Sequence, residues 1–229
     1  MIGIIGAMKP EIDGIKAIIE NKEIRVISGI EFVSGTIGKT EVVAAQSGIG
    51  KVFAAICAQT MILEYKPDAI INVGVGGTLS ENLSIGDIAV ANAVVQHDMD
   101  TSPLGDPVGL LSGINIVEIP CSNELSDRIA KSAATVGIKT EKGIIASGDQ
   151  FIGSPEQKDK IRSNFDAVAC EMEGGSIGHV CYVNGVDFCV IRAISDSANG
   201  DASMDYPEFM KMAAENSIKV MKKFLAECE

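Results

Sequence analysis

The stretch DFCVIRAISD, residues 187–196, is a nearly unbroken apolar run that ends in an acid. Continuous rather than alternating hydrophobicity is typical of a β-strand that is covered on both faces, as in a parallel sheet between helices. Similar runs rich in Ile and Val, most of them bounded by glycine, lie at 2–6, 40–48, 69–74, 86–95, 141–149 and 166–171. The sequence therefore predicts seven buried strands.

Helical patterns lie between these runs, at roughly 10–20, 51–65, 123–136, 155–164, 174–184 and 207–226. The last begins with Pro207 at a first-turn position and repeats apolar residues at about every third or fourth place. Strands that alternate with helices predict an α/β fold, a largely parallel or mixed sheet with helices on its faces. No low-complexity or proline-rich spacer interrupts the chain, so one domain over residues 1–229 is expected.

The composition excludes several classes of protein. A formal net charge of -12 and a pI near 4.6 disfavour a nucleic-acid binder, whose affinity rests on clustered Lys and Arg. The six cysteines form no C-x-x-C, and most lie in apolar runs, so neither disulfides nor a metal site is expected. Without a basic N-terminal region or an apolar run of about 18 residues, the chain is expected in the cytoplasm and not in a membrane.

Acids and glycines follow several predicted strands, and ligands of such sheets bind beyond the carboxyl ends of strands. Glu11 follows the first strand, and Asp196 ends the last. In DAVACEMEGG, residues 166–175, Glu171 and Glu173 are two apart, a spacing that points both to one side of an extended chain. We expect these acids on one rim of the sheet.

Such acids suit cleavage of a glycosidic bond. That reaction needs an acid for the leaving group, a base for water, and negative charge near the cationic sugar that develops. Asp196 is the best single candidate, because burial raises the pKa of a carboxyl group. Alternatively, the acids stabilise helix N-termini, which would suffice to explain Glu11. A nucleotide-phosphate site is disfavoured, because neither a Walker pattern nor G-x-G-x-x-G is present.

Seven ordered motifs over nearly the whole chain carry a resemblance: GIIGAMKPEI, QSGIGKVFAA, PDAIINVG, HDMD, IASGDQFI, ACEMEGG and RAISDSA. They resemble the motifs of 5′-methylthioadenosine/S-adenosylhomocysteine nucleosidase. The resemblance implies the nucleoside phosphorylase/hydrolase fold, a three-layer sandwich with a central twisted mixed sheet. It also implies a cofactor-free, metal-free homodimer. The implied reaction is hydrolysis of 5′-methylthioadenosine, S-adenosylhomocysteine and 5′-deoxyadenosine.

The same resemblance assigns the catalytic residues. Asp196 matches the acid that protonates adenine N7, so that the base departs neutral. Glu11 matches the residue that activates the attacking water, with Arg192 and Glu173 nearby. Glu173 and Met172 match the residues that hold the ribose, Glu173 through the 2′- and 3′-hydroxyls.

Further positions match the binding pocket. Phe151 matches the ring that stacks on adenine, and the backbone of Ile152 matches the reader of its Watson–Crick edge. The resemblance also implies that Glu171, Ser195 and Gly76 belong to the substrate-binding residues, with Glu171 supporting the site.

The 5′ end of the substrate is implied to lie in an apolar pocket. Met8, Ile49 and Tyr206 resemble its lining, and Leu104 aligns with a residue that the partner subunit contributes. A shared pocket is the reason that a dimer is implied. Without the resemblance, ordinary core packing would be the simpler reading of Met8, Ile49 and Phe151.

One position departs from the family pattern. The chain has GVGGT at 74–78 where the family has Gly-Ser/Thr-Ala-Gly-Gly, so Val75 lacks the hydroxyl that would hydrogen-bond the catalytic aspartate. Either Ser195, Ser197 or Thr78 substitutes, or Asp196 is held less firmly.

Three alternatives stay open. One is a 6-amino-6-deoxyfutalosine hydrolase, which the same residues could serve. The second is a purine nucleoside phosphorylase, but of four arginines only Arg192 is expected on the rim, and phosphate is normally clamped by arginine. The third is a nucleoside-binding protein with impaired catalysis, suggested by Val75.

Overall fold

The computed structural model describes residues 1–196 and 206–227. Within them, helices alternate with strands as predicted. The helices are α1 (Lys9–Ile18), α2 (Lys51–Tyr65), α3 (Asn123–Thr135), α4 (Pro155–Phe165), α5 (Gly174–Asn184) and α6 (Tyr206–Ala226). The strands are β1 (Ile2–Gly6), β2 (Glu20–Ile27), β3 (Ile30–Ile37), β4 (Thr40–Gln46), β5 (Ala69–Thr78), β6 (Ile88–Gln96), β7 (Ile119–Pro120), β8 (Thr140–Ser147), β9 (Ala167–Glu171) and β10 (Asp187–Asp196).

The strands form one mixed sheet, and five of them close a ring. Strand β10 pairs in parallel with β5 and antiparallel with β6, while β8 and β9 connect β6 back to β5. From this ring the sheet extends as an open arm through β1, β4, β3 and β2. The mixed sheet confirms the predicted fold class, whereas the ring depends on pairings between distant segments that no local pattern reveals.

Helices cover the sheet on both faces, which confirms the three-layer arrangement. Helices α1, α3 and α6 pack with Ile71 and Ile191 in one apolar cluster. Helices α2 and α5 pack with Ile70 and Val190 in a second. Neighbouring residues of β5 and β10 thus enter different apolar layers, which is why these strands are continuously apolar. No helix in the described part of the chain is long and apolar enough to cross a bilayer.

The continuous-hydrophobicity criterion does not predict β2 and β3. Strand β2 lies at the open edge and is exposed along nearly its whole length, with Ile24 59% and Val26 69% exposed. An edge strand without a covering helix carries polar residues, so it lacks the sequence signal of a buried strand.

Strand β5 runs four residues beyond the predicted end at Gly74. A Cβ at Gly74 would lie 2.8 Å from Oε1 of Glu11, so only glycine admits this close approach. The glycines that suggested a loop are therefore part of a strand that lets an acid side chain lie against its backbone.

Candidate active site

A cleft of ≈ 140 Å³ opens where β1, β5, β9 and β10 end. Most residues that the sequence analysis assigns to the site line it, and Gln150 lies among them. The assigned residues in its wall are Met8, Glu11, Ile49, Val75, Gly76, Phe151, Ile152, Glu171, Met172, Glu173, Ser195 and Asp196. The fold thus brings segments from both ends of the chain to one site.

Glu11 enters the cleft from the first turn of α1. Its carboxylate accepts hydrogen bonds from the backbone N–H groups of Ala7 at 2.9 Å, Met8 at 2.8 Å and Val75 at 2.9 Å. Burial raises the pKa of Glu11, while Arg192 and these backbone donors oppose the rise. The same Glu11 carboxylate therefore stabilises the start of α1 and lines the cleft. The N–H groups of Ala7 and Met8 belong to the turn that begins the helix.

Glu171 is the most heavily bonded carboxylate of the cleft. It accepts hydrogen bonds from the hydroxyl of Ser147 and the guanidinium of Arg192. It also accepts hydrogen bonds from the backbone N–H groups of Glu173 at 2.9 Å and Gly174 at 2.8 Å. Both backbone donors come from the start of α5. Glu171 therefore fixes the turn between β9 and α5.

Arg192 lies behind the carboxylates rather than in the wall of the cleft, and it is only 1% exposed. Its Nη1 donates to the carbonyl of Ile191 at 2.8 Å, and its Nη2 donates to Oδ1 of Asn72 at 2.5 Å. Asn72 in turn donates to the carbonyl of Ile5 at 2.9 Å. The sequence analysis does not name Asn72, although a buried amide inside an apolar strand was an available signal.

Glu173 ends the turn and faces the loop before α2. Gly50 donates its N–H to Oε1 at 2.8 Å, and Nη2 of Arg192 lies 3.6 Å from Oε2. Burial and the neighbouring Glu171 raise the pKa of Glu173 to about 7. Three buried carboxylates thus share one guanidinium, an arrangement that favours an incoming positive charge.

Asp196 ends β10, is 7% exposed, and pairs with a residue that the sequence analysis does not name. Nζ of Lys158 donates to Oδ2 at 3.0 Å, and within residues 1–196 and 206–227 no other group donates to this carboxylate. The hydroxyls proposed to hold it lie elsewhere: Thr78 donates to the Ser80 carbonyl at 2.9 Å and Ser195 to the Gly76 carbonyl at 3.4 Å. Ser197 lies outside the described residues.

A helical pattern could have found Lys158. It shares the buried face of α4 with Ile161 and Phe165, at spacings of three and seven residues. A lysine on such a face needs a partner, because a buried ammonium is unfavourable alone.

The apolar residues are distributed between the wall and the mouth of the cleft. Phe151 is 61% and Ile49 54% exposed, so neither is packed in the core. Ile152 is buried, and Met8 and Met172 are half-buried. Phe151 and Ile49 are exposed enough to cover an apolar group of a ligand, and core packing is excluded as their role.

Two assigned residues remain, Leu104 and Tyr206. Leu104 is 83% exposed in a short 3₁₀ turn and does not line the cleft of its own chain. Tyr206 is the first residue of α6, and its side chain lies outside the described residues.

A polar network that the sequence analysis does not name joins the two loops that carry Ile49 and Phe151. Asp149 accepts the N–H of Lys51 at 2.8 Å and donates its own N–H to Asp98 at 2.9 Å. Nζ of Lys51 closes the network on Asp98 at 2.7 Å. These bonds set the distance between the two loops.

The sequence relatives of the chain are nucleosidases. The phosphorylase superfamily matches residues 1–226. The 5′-methylthioadenosine/S-adenosylhomocysteine nucleosidase of Shewanella sp. (strain W3-18-1) is 39% identical over 228 residues, which are 99% of this chain and 98% of the relative. The enzyme of the same name from Shewanella halifaxensis (strain HAW-EB4) is 40% identical over 218 residues, 94% of each chain.

Solved structures agree with these relatives. A mutant Helicobacter pylori nucleosidase with 5′-methylthioadenosine in its active site has a TM-score of 0.93 at 37% identity and covers 99% of this chain and 98% of its own. The futalosine hydrolase of Helicobacter pylori has a TM-score of 0.93 at 36% identity, covering 99% and 97%. The chain belongs to the 5′-methylthioadenosine/S-adenosylhomocysteine nucleosidases of the phosphorylase superfamily and is an N-glycosidic hydrolase of nucleosides.

Proposed function

We propose that the protein hydrolyses 5′-methylthioadenosine and S-adenosylhomocysteine to adenine and the corresponding 5-thioribose derivative. The observation that carries this proposal is that Asp196 and the buried glutamates face one cleft whose mouth is apolar. An acid, a base and a site for positive charge are the parts that glycosidic cleavage requires.

In this proposal, protonated Asp196 starts the reaction. Its proton passes to N7 of adenine, and the electron pair of the C1′–N9 bond enters the purine ring. Adenine then leaves as a neutral base rather than an anion. Phe151 stacks on the base, and the backbone of Ile152 reads its Watson–Crick edge.

Water completes the reaction at the sugar. The water oxygen bonds to C1′, and its proton passes to the carboxylate of Glu11, whose raised pKa improves it as a base. Glu173 accepts hydrogen bonds from the ribose hydroxyls, and Met172 packs on the sugar. The negative charge of the buried glutamates stabilises the oxocarbenium-like transition state.

The identity of the 5′ substituent is less constrained than that of the base and the ribose. Met8 and Ile49 offer an apolar wall that suits a thioether. Because the similar Helicobacter pylori structures include a futalosine hydrolase, 6-amino-6-deoxyfutalosine is the second candidate, and 5′-deoxyadenosine is a third.

Phosphate as the attacking group is disfavoured. Arg192 is buried behind the carboxylates, and Arg25, Arg128 and Arg162 pair with surface glutamate or aspartate residues outside the cleft. No arginine in the described part of the chain is therefore placed to clamp phosphate in the cleft.

A product assay tests the proposal. The protein is mixed with methylthioadenosine, S-adenosylhomocysteine, 5′-deoxyadenosine and 6-amino-6-deoxyfutalosine, with and without phosphate, and adenine is quantified. We expect phosphate-independent release, fastest from the two thio-nucleosides. Release only with phosphate would identify a phosphorylase, and tight calorimetric binding without product would identify a nucleoside-binding protein.

We further infer that two chains associate through the exposed face of α2 and α5. These helices are joined by the side chains of Gln59 and Asn184. Apolar residues on this face are 42% to 70% exposed: Val52, Phe53, Ile56 and Val183. Such a patch marks an interaction surface, and it is continuous along α2 with the loop that carries Ile49.

Light scattering after size-exclusion chromatography tests the dimer. We expect twice the chain mass for the wild type and for Lys22→Glu, and a monomer with reduced activity for Phe53→Glu. A monomeric wild type with full activity would contradict the dimer. The cytoplasmic location, a single domain over residues 1–229 and the absence of nucleic-acid and membrane partners stay predictions from the sequence.

A further inference from the structure

Asp196 lines the active-site cleft and forms a buried ion pair with Lys158, which lies behind the wall. Their side chains are each 8% exposed, and Nζ lies 3.0 Å from Oδ2. An added Cβ at Gly77 would lie 3.0 Å from Oδ1 and 3.2 Å from Oδ2, so the carboxyl group lies against the backbone of β5. One carboxyl oxygen is therefore held by the ammonium, and the other is not engaged by a donor in residues 1–196 and 206–227.

Helix α4 holds the lysine in place. Ser154 and Gln157 form a capping box at its start, with the Gln157 N–H donating to the Ser154 hydroxyl at 3.2 Å. One and two turns further on, Ile161 and Phe165 anchor the helix in an apolar cluster. Because the helix is fixed at its start and along one face, Lys158 is directed at Asp196 by the fold and not by a flexible loop.

Of the hydroxyls considered for this position, those of Thr78 and Ser195, which the structure describes, are engaged elsewhere. Val75 has methyl groups only, and the hydroxyls of Thr78 and Ser195 donate to backbone carbonyls. A buried carboxyl group that must present one oxygen to a ligand needs a partner for the other.

We propose that Lys158 is the positioning residue of Asp196 and takes the place of a side-chain hydroxyl at position 75. This inference rests on the proposed function, in which Asp196 protonates adenine N7. The ammonium donates to Oδ2 in both protonation states of Asp196, so that Oδ1 is the oxygen that carries the proton toward the base when the carboxyl group is protonated. Once the proton has moved to N7, the carboxylate left behind is stabilised by the ammonium at 3.0 Å.

The first experiment compares Lys158→Met with Lys160→Met, an exposed lysine of the same helix. Adenine release from methylthioadenosine gives kcat and KM, and thermal melting reports the fold. For Lys158→Met we expect kcat to fall about 30-fold, equivalent to about 2 kcal/mol, with KM within about threefold. Lys160→Met should match the wild type.

Rescue separates positioning from simple stabilisation. Lys158→Arg keeps the charge, and Val75→Ser in the Lys158→Met background returns a hydroxyl to position 75. We expect each to recover kcat at least about fivefold over Lys158→Met, equivalent to about 1 kcal/mol. A serine on strand β5 would not restore the function of a lysine on α4 whose role was merely structural.

Several outcomes would overturn the inference. They are a Lys158→Met enzyme within about threefold of the wild-type kcat, an equal loss in Lys160→Met, or a loss that neither rescue variant repairs. A wild type that releases no adenine from any nucleoside would instead overturn the proposed function itself, so the two failures are distinguishable.

Discussion

The cleft contains two acidic regions that the fold holds in different ways. In the glutamate cluster, which comprises Glu11, Glu171 and Glu173, every carboxylate accepts at least one backbone N–H. Asp196, at the end of β10, instead accepts a hydrogen bond from the side chain of Lys158 on helix α4. The two regions contact β5 at Gly74 and Gly77, three residues and about 10 Å apart along the strand.

This difference predicts unequal sensitivity to mutation. A backbone donor is supplied by the fold whatever side chain the residue carries, so each glutamate keeps at least one hydrogen bond when a neighbouring side chain is replaced. The side-chain partner that the described residues give Asp196 is lost with a single substitution. Under the proposed function, we therefore expect small sequence changes to alter the rate most readily at the Asp196 end of the cleft.

The largest effect is expected from Asp196→Asn. An amide has the size of the carboxyl group but no proton to deliver to N7, so turnover should fall by about 10³-fold with modest loss of binding. Steady-state adenine release measures the rate, and calorimetry with a thio-nucleoside measures the affinity. Asp159→Asn on the exposed face of α4 is the control, and near-normal turnover of Asp196→Asn would remove it from the role of acid.

A smaller loss is expected from Glu173→Gln. The amide keeps the hydrogen bond from Gly50 but loses the charge that stabilises the sugar cation, so kcat should fall about 10- to 100-fold and KM should rise. The exposed Glu156→Gln is the control in the same kinetic assay. An unchanged kcat would leave Glu173 as a structural acid.

A still smaller effect is expected from Asp149→Ala, which cuts the link between the two loops that carry Ile49 and Phe151. Both loops contact the substrate in the proposed mode, so KM for methylthioadenosine should rise about fivefold while kcat changes little. Asp13→Ala on α1, outside the cleft, serves as control. A fall in kcat alone would contradict a role in shaping the pocket.

The smallest effect concerns stability. Burial raises the pKa of Glu173 from 4.5 to about 7, so the folded state favours its protonated form. The stabilisation that protonated Glu173 contributes is complete below pH 4.5 and is lost as the pH rises through about 7. Glu173→Gln should therefore melt about 3 °C higher than the wild type at pH 8, and the difference should be much smaller at pH 5. An equal difference at both pH values would contradict this titration.

Local patterns predicted most of the fold because two-sided burial leaves a clear sequence signal. The helices α2 and α5 begin and end at the predicted residues, and β10 spans 187–196 as predicted. This signal does not predict strands β2 and β3, because an edge hairpin is not enclosed between apolar layers. The end of β5 was also missed, because glycine there serves the approach of Glu11 rather than a turn.

The sequence by itself determined the fold class and, through its ordered motifs, the family and the acids expected at the cleft. Only the tertiary structure decided which groups hold those acids. Lys158 is 38 residues from Asp196 in the chain, and Asn72 is 120 residues from Arg192. Such partnerships arise from the closure of five strands and the docking of α4, so they depend on long-range packing that no local periodicity encodes.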